Sequence, residues 1–341
     1  MRHGEIRVAV IGKSNQAARH ITLLRQHPDV RLEAVFYPKE ARDPGLPLTQ
    51  DFSDVLRCDV VVIASPTPTH AEYLERLSSF AGYVLIEKPA VSDLAQTKML
   101  QEWDKDRKAR TRVNFNLLHS ELFARLRKVS TDERLGEPMA LDVHTSHGLA
   151  FSSSYKGSWR STAGSSLGVL ETVGVHFVHM ARTLFGPIQC AEADVQWMAA
   201  TQGPPDTGVF RLLMCRGLRA TLRHSYAAPY LNQFRLLGTD GYWEYDGVRA
   251  RLCAPRDTFD AEGRFATPPV VEEHLIDYAR SWRESLGRAV NDFVITVRDG
   301  RQFDTSEFDS ALEAMAIILK SVSIPAATEP SLTKGVAPSC L

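Results

Sequence analysis

Ile6-Arg7-Val8-Ala9-Val10-Ile11-Gly12-Lys13-Ser14-Asn15-Gln16-Ala17 is the first regular pattern in the chain. Its opening six residues are rich in β-branched side chains and mostly apolar, as in a strand buried on both faces of a parallel sheet. Gly12 ends the run. Residues 15–27 then predict a helix, with Ala17, Ala18, Ile21, Leu23 and Leu24 as its apolar contacts. A dinucleotide-binding turn asks for G-x-G-x-x-G/A after such a strand. Gly12 and Ala17 fit, and Ser14 stands where the middle glycine would be. A serine is accommodated if its Cβ points away, and its hydroxyl can then donate to a phosphate at the helix N-terminus beside Asn15 and Gln16.

The same alternation continues outward. Arg31–Phe36, Val60–Ala64, Tyr83–Ile86 and Arg112–Phe115 read as further strands, and His70–Phe80 and a segment from Ser92-Asp93 to Asp106 as helices between them. Strands and helices alternating at short spacing predict an α/β fold with a doubly wound parallel sheet. Right-handed crossovers put the strand C-termini on one rim, which carries Gly12, Tyr37, Ser65, Glu87 and Asn116. Beyond residue 122 the pattern changes. Leu122–Ser130 is helical, and Pro138–His144, Gln189–Met198, Val209–Cys215, Ala220–Ser225, Gln233–Gly238 and Tyr242–Tyr245 are strand-like with no long helices between them. A closing helix spans Ser306–Ser321, capped by Thr305 or Ser306. The expected organisation is a Rossmann domain over residues 1–122, an α+β substrate and oligomerisation domain with a mainly antiparallel sheet over 123–330, and a loose tail over 331–341.

Composition narrows the function classes. The net charge is -1, which gives no electrostatic footprint for nucleic acid or an anionic membrane. No apolar run reaches membrane-spanning length, and the charged start runs straight into a strand without a signal peptide. The five cysteines are scattered, and no Cys/His cluster has metal-ligand spacing. The expectation is a cytoplasmic protein with reduced thiols and no metal site.

The end of the second strand bears on the cofactor. An acidic residue there holds the ribose 2′-hydroxyl of NAD, whereas a basic one accommodates the 2′-phosphate of NADP. Phe36-Tyr37-Pro38-Lys39 supplies no carboxylate, and Lys39 favours NADP over NAD. Two motifs follow the next strands: Ser65-Pro66-Thr67-Pro68-Thr69-His70 and Glu87-Lys88-Pro89. Trp159-Arg160 and Gly174-Val175-His176 come later in the chain. In this order the pieces resemble the Gfo/Idh/MocA family of oxidoreductases over most of the length.

That resemblance implies an NAD(P)-dependent sugar or polyol dehydrogenase or ketoreductase. It would move a hydride between nicotinamide and a secondary alcohol or ketone of a sugar, sugar nucleotide or cyclitol. It assigns Lys88 to the place between nicotinamide and substrate, where an ammonium can stabilise alkoxide character. It assigns His176 as general acid/base. Gly12, Ser14, Asn15, Gln16, Tyr37, Lys39, Ser65, Pro66, Thr67, His70, Glu87, Lys88 and Asn116 would line the cofactor. Lys88, His144, Trp159, Arg160, Thr172, His176 and His179 would face a small carbohydrate substrate. His144 and His147 point to opposite faces of a strand, so at most one faces the cleft. Tyr226 and Tyr230 are open between pocket and sheet. Arg160 could hold a carboxylate or phosphate. The resemblance also implies a homo-oligomer, a dimer or tetramer. One departure stands out. Thr172 occupies the place of an aspartate four residues before the histidine, and His179 that of an aspartate three residues after it. His176 then acts with Lys88 alone, or Glu171 or His179 substitutes, or Thr172 positions a substrate hydroxyl. The rival readings are a non-catalytic dinucleotide sensor and a redox-neutral NAD-dependent glycosidase.

Overall fold

In the computed structural model the described residues are 5–155, 158, 161–162, 168–199 and 203–321. Valine- and isoleucine-rich runs form strands β1 (Ile6–Ile11), β2 (Val30–Phe36), β4 (Val60–Ile63), β5 (Tyr83–Glu87) and β6 (Thr111–Asn114), and a two-residue β3 (Leu48–Thr49) joins the edge. Their order is β3-β2-β1-β4-β5-β6, and every pair is parallel. The strand order reverses beside β1, so a ligand crevice opens at the C-terminal ends of β1 and β4.

Helices α1 (Gln16–Gln26), α2 (Phe52–Leu56), α3 (His70–Arg76), α4 (Leu94–Gln101), α5 (Lys105–Lys108) and α6 (Glu121–Val129) connect these strands and lead out of the sheet. Two boundaries differ from expectation. The helix begun at His70 ends at Arg76, with turns to Phe80. The helix expected to reach Asp106 stops at Gln101, because Asp104 caps a new turn by accepting from the Arg107 N–H at 2.8 Å.

The second sheet has β7 (Pro138–Ser146), β8 (Ile188–Gln196), β9 (Thr207–Met214), β10 (Arg219–Ser225), β11 (Leu231–Gly238), β12 (Tyr242–Tyr245), β13 (Arg249–Cys253) and β14 (Val270–Leu275). The order is β14-β13-β12-β11-β7-β10-β9-β8, antiparallel except for the β7–β10 pair. Alternate residues such as Leu141, Val143, Phe210, Leu222, Phe234 and Trp243 turn inward and are buried. Helix α7 (Val175–Phe185) and the π-helical turn before it, Leu170–Gly174, lie on that inner face, where Phe177 stacks on His224 at 4.8 Å. The outer face carries cross-strand ion pairs, among them Arg235–Glu244 at 2.9 Å and Arg249–Glu273 at 3.0 Å.

Two long helices close the chain, α8 (Tyr278–Arg298) and α9 (Thr305–Ser321). Asp304, rather than Thr305 or Ser306, caps α9 by accepting from the Ser306 N–H at 2.9 Å. Helix α8 returns to the first sheet. Its Leu286, Val290, Phe293 and Val294 pack with α1 and with Val8, Val10, Val60 and Val62. That return brings the start of α8 to the crevice. No helix among the described residues is long and apolar enough to cross a membrane, and no group of three metal-ligating side chains is found among them.

Candidate active site

The rim of the parallel sheet, the end of β7, the π turn and the start of α8 enclose a cleft of about 650 Å3. Gly12, Ser14, Asn15 and Gln16 form its floor on one side. Gly12 has φ 111°, and a Cβ there would lie 3.0 Å from the Ala64 carbonyl oxygen and 3.2 Å from the Ala17 Cβ. The turn therefore needs glycine where β1 passes the end of β4. The Asn15 side chain does not cap α1, and the first turn holds no acidic residue. The Ala17 N–H donates to the Ser14 carbonyl at 3.1 Å, and the remaining N–H groups at the helix start suit an external oxyanion such as a dinucleotide pyrophosphate. Tyr37 lines the cleft at the tip of β2, with the Lys13 ammonium 5.2 Å from its ring centroid.

The next two strand ends are tied together. His70 is buried, with its ring nitrogens 2.8 Å from the Ser65 and Pro89 carbonyl oxygens, so it pins the turn after β4 to the turn after β5. Burial pushes its pKa down, against the two carbonyls. Ser65, Pro66 and Thr67 line the cleft beside it, and Asn116 lines it from beyond β6. Glu87 is buried, and its Oε1 accepts from Asn114 Nδ2 at 2.7 Å and meets His20 Nε2 at 2.7 Å. Burial works to raise its pKa, but His20, Asn114 and Lys88 outweigh it and hold the carboxyl below its ordinary value. Glu87 is thus an anchor of the strand end. Its neighbour Lys88 is the residue presented to the cleft, ahead of a cis Lys88–Pro89 bond.

Lys88 Nζ donates to the main-chain carbonyl of Thr172, which joins the two walls. The Thr172 hydroxyl donates to the Gly168 carbonyl at 2.8 Å, so the Tyr226 hydroxyl, its other partner, is the donor in that bond. Thr172 lines the cleft as expected, with its hydroxyl hydrogen and one lone pair engaged by protein and the second lone pair left as an acceptor. His176 also lines the cleft, edge-on to Phe115 at 5.8 Å and to Trp282 at 5.3 Å. Its Nδ1 is buried without a partner among the described residues, which leaves Nε2 as the nitrogen open to the cleft. Burial first, and then the Lys88 charge, hold its pKa well below the ordinary histidine value.

Four candidate site residues are not in the cleft lining. His179 stacks on Phe115 at 3.8 Å and reaches Ser310 of α9 at 3.2 Å, on the far side of α7. His144 lies on the outer face of its strand opposite Arg223, whereas alternation turns Thr145 inward, and Ser146 and His147 reach the cleft where the strand ends. Lys39 is exposed in the loop after Pro38. Glu171 is buried outside the cleft lining. Trp159 and Arg160 fall outside the described residues.

Several cleft residues were not anticipated as such: Lys13, Arg19, Asn232, Tyr278, Trp282 and Arg283. Tyr230 lines the cleft, whereas Tyr226 is buried behind Thr172 with the His147 ring 4.9 Å away. The signal for the α8 residues was Asp277, a helix cap, followed by Leu286, Val290, Phe293 and Val294 at helical spacing.

The description "Oxidoreductase family, NAD-binding Rossmann fold" matches residues 6–115, and "GFO/IDH/MocA C-terminal domain" matches residues 123–244. Inositol 2-dehydrogenase of Rhizobium meliloti is 25% identical over 269 residues, 76% of each chain. Among solved structures, GenD2 from gentamicin A biosynthesis, in complex with NAD, superposes with a TM-score of 0.74 at 20% identity, covering 94% of this chain and 95% of its own. A myo-inositol dehydrogenase from Corynebacterium glutamicum does so with a TM-score of 0.71 at 19% identity, covering 93% and 96%. At these identities the superpositions establish the shared fold.

Proposed function

The chain belongs to the Gfo/Idh/MocA family of NAD-binding oxidoreductases, and from that premise we propose that it transfers a hydride between a nicotinamide dinucleotide and a secondary alcohol or ketone of a sugar or cyclitol. The observation that carries this reading is that Lys88 and His176 line the cleft floored by the Gly12 turn, with Lys88 bonded to the Thr172 carbonyl one helical turn before His176. The dinucleotide, when bound, supplies the hydride donor or acceptor. Lys88 hydrogen-bonds the reacting oxygen and stabilises its alkoxide character. His176 is neutral at neutral pH, so its Nε2 takes the hydroxyl proton in the oxidation direction. With no carboxylate at Thr172, nothing there stabilises the imidazolium that results. The Lys88 charge therefore carries most of the stabilisation of the reacting oxygen.

The favoured dinucleotide is NADP. No carboxylate at the tip of β2 lines the cleft, and the Lys13 ammonium over Tyr37 suits a 2′-phosphate in the role expected of Lys39. The division of residues 1–122 and 123–330 into cofactor and substrate domains is part of the same proposal, with α8 crossing between them. So is a homo-oligomer formed on the outer face of the eight-stranded sheet. The reaction is tested by a turnover screen of sugars, cyclitols and sugar acids with both dinucleotides. Lys88→Ala is expected to lower kcat roughly 10²–10³-fold, the range for loss of one oxyanion donor. Unchanged turnover in that variant removes Lys88 from the chemistry, and turnover with no substrate favours the non-catalytic sensor.

A further inference from the structure

Helices α1 and α8 lie side by side on the first sheet and run in the same direction. Gly287 approaches Leu23 so closely that a Cβ there would be 3.6 Å from Leu23 Cδ2. One turn further on, His27 Nε2 is 3.3 Å from Asn291 Oδ1. Going back one turn from Leu23 and Gly287 reaches Arg19 and Arg283, both of which line the cleft. Helical side chains lean toward the N-terminus, so both guanidinium groups reach toward the cleft that they line.

Both arginines are solvent-exposed residues of the cleft lining. Arg280 and Arg288 of α8 are held by Glu284 at 2.7 and 3.1 Å. Arg19 and Arg283 have no such partner among the described residues. The carboxylate that lines the cleft is Glu87, already engaged with His20 and Asn114. Against it stand Lys13, Arg19, Lys88 and Arg283. Two guanidinium groups lining one cleft repel, and an oxyanion held between them turns that repulsion into paired, charge-assisted hydrogen bonds. Arg283 directly follows Trp282, whose ring packs on His176, so the α8 arginine lies within one helical turn of that contact.

We propose that Arg19 and Arg283 form an anion subsite that grips a carboxylate or phosphate carried by the substrate, so that the enzyme prefers acidic or phosphorylated sugars to neutral polyols. This rests on the oxidoreductase reading above. The test is a calorimetric titration of NADPH-saturated protein with inorganic phosphate, glucuronate and glucose, repeated without dinucleotide, so that it reads the subsite whether or not turnover occurs. Glucuronate and phosphate should bind measurably better than glucose. Arg283→Gln and Arg19→Gln should each weaken the anions by about tenfold, a loss typical of one charge-assisted contact, while NADPH affinity stays within about twofold. In the turnover screen, Arg283→Gln should lower the kcat/KM ratio of glucuronate over glucose by about tenfold, mainly through KM. Equal binding of the anions by wild type and variants overturns the subsite. So does a loss of NADPH affinity with anion binding intact, which would assign the arginines to the cofactor's own phosphates. Absence of hydride transfer with the anion titration as expected would sink the oxidoreductase reading and leave the subsite standing.

Discussion

Thr172 decides how Lys88 is held. Its carbonyl accepts from Lys88, and its hydroxyl, donating to the Gly168 carbonyl, accepts a hydrogen bond from the Tyr226 hydroxyl. Tyr226 therefore acts on Lys88 at one remove, as a positioning residue. Tyr226→Phe should cost about 1 kcal/mol in stability, the worth of one hydrogen bond, and should lower kcat with NADPH affinity unchanged. Thermal melts, dinucleotide titration and steady-state kinetics read these separately, and an unaltered kcat would reduce Tyr226 to a packing role. Lys88 and His176 were legible because each sits in a short motif of fixed order. The engagement of Thr172 was not, since its partners Gly168 and Tyr226 meet only through the tertiary fold. His179 misled for a related reason. Sequence spacing put it on one helix face with residue 176, but packing against Phe115 and α9 takes it out of the cleft.

The turn between β1 and α1 is the element on which cofactor binding depends. Gly12 has a backbone that L side chains rarely adopt, with the Ala64 carbonyl against its α-carbon. Gly12→Ala should cost about 1–3 kcal/mol in strain and weaken dinucleotide binding by about tenfold or more, measured by melting and by titration. An unchanged affinity would mean that the turn does not approach the ligand. Strands of this sheet were legible because they are buried on both faces and so read as runs such as Val60-Val61-Val62-Ile63. The π turn at Leu170–Gly174 was not, because its wider hydrogen-bonding leaves no distinct apolar period. Short helices such as α5 are set by a single cap, which a periodicity cannot reveal.

At the scale of the whole molecule, the cleft exists because α8 crosses back to the parallel sheet and adds Tyr278, Trp282 and Arg283 to a site otherwise built from the two sheets. Local sequence predicted the rim and the two sheets apart from β3, β13 and β14, but not this long-range return. The same burial makes the fold acid-sensitive. His176, His179 and His224 are buried and held below the ordinary histidine range, His179 and His224 down to about 3. In the unfolded chain they take up protons below about pH 6.5, and in the native chain they stay neutral. The unfolded state thus binds more protons as pH falls, and stability drops by up to about 1.4 kcal/mol per pH unit for each such histidine. The melting temperature should be level above pH 7 and fall steeply between pH 6.5 and 5; a level profile across that window would contradict the buried neutral histidines. The central claim is that the cleft floored by Gly12 and flanked by Lys88 holds a nicotinamide dinucleotide. Fluorescence titration with NADPH and NADH tests it most directly. The account predicts saturable binding of both, with NADPH tighter by about tenfold through Lys13, whereas failure of either dinucleotide to bind at millimolar concentration would contradict it.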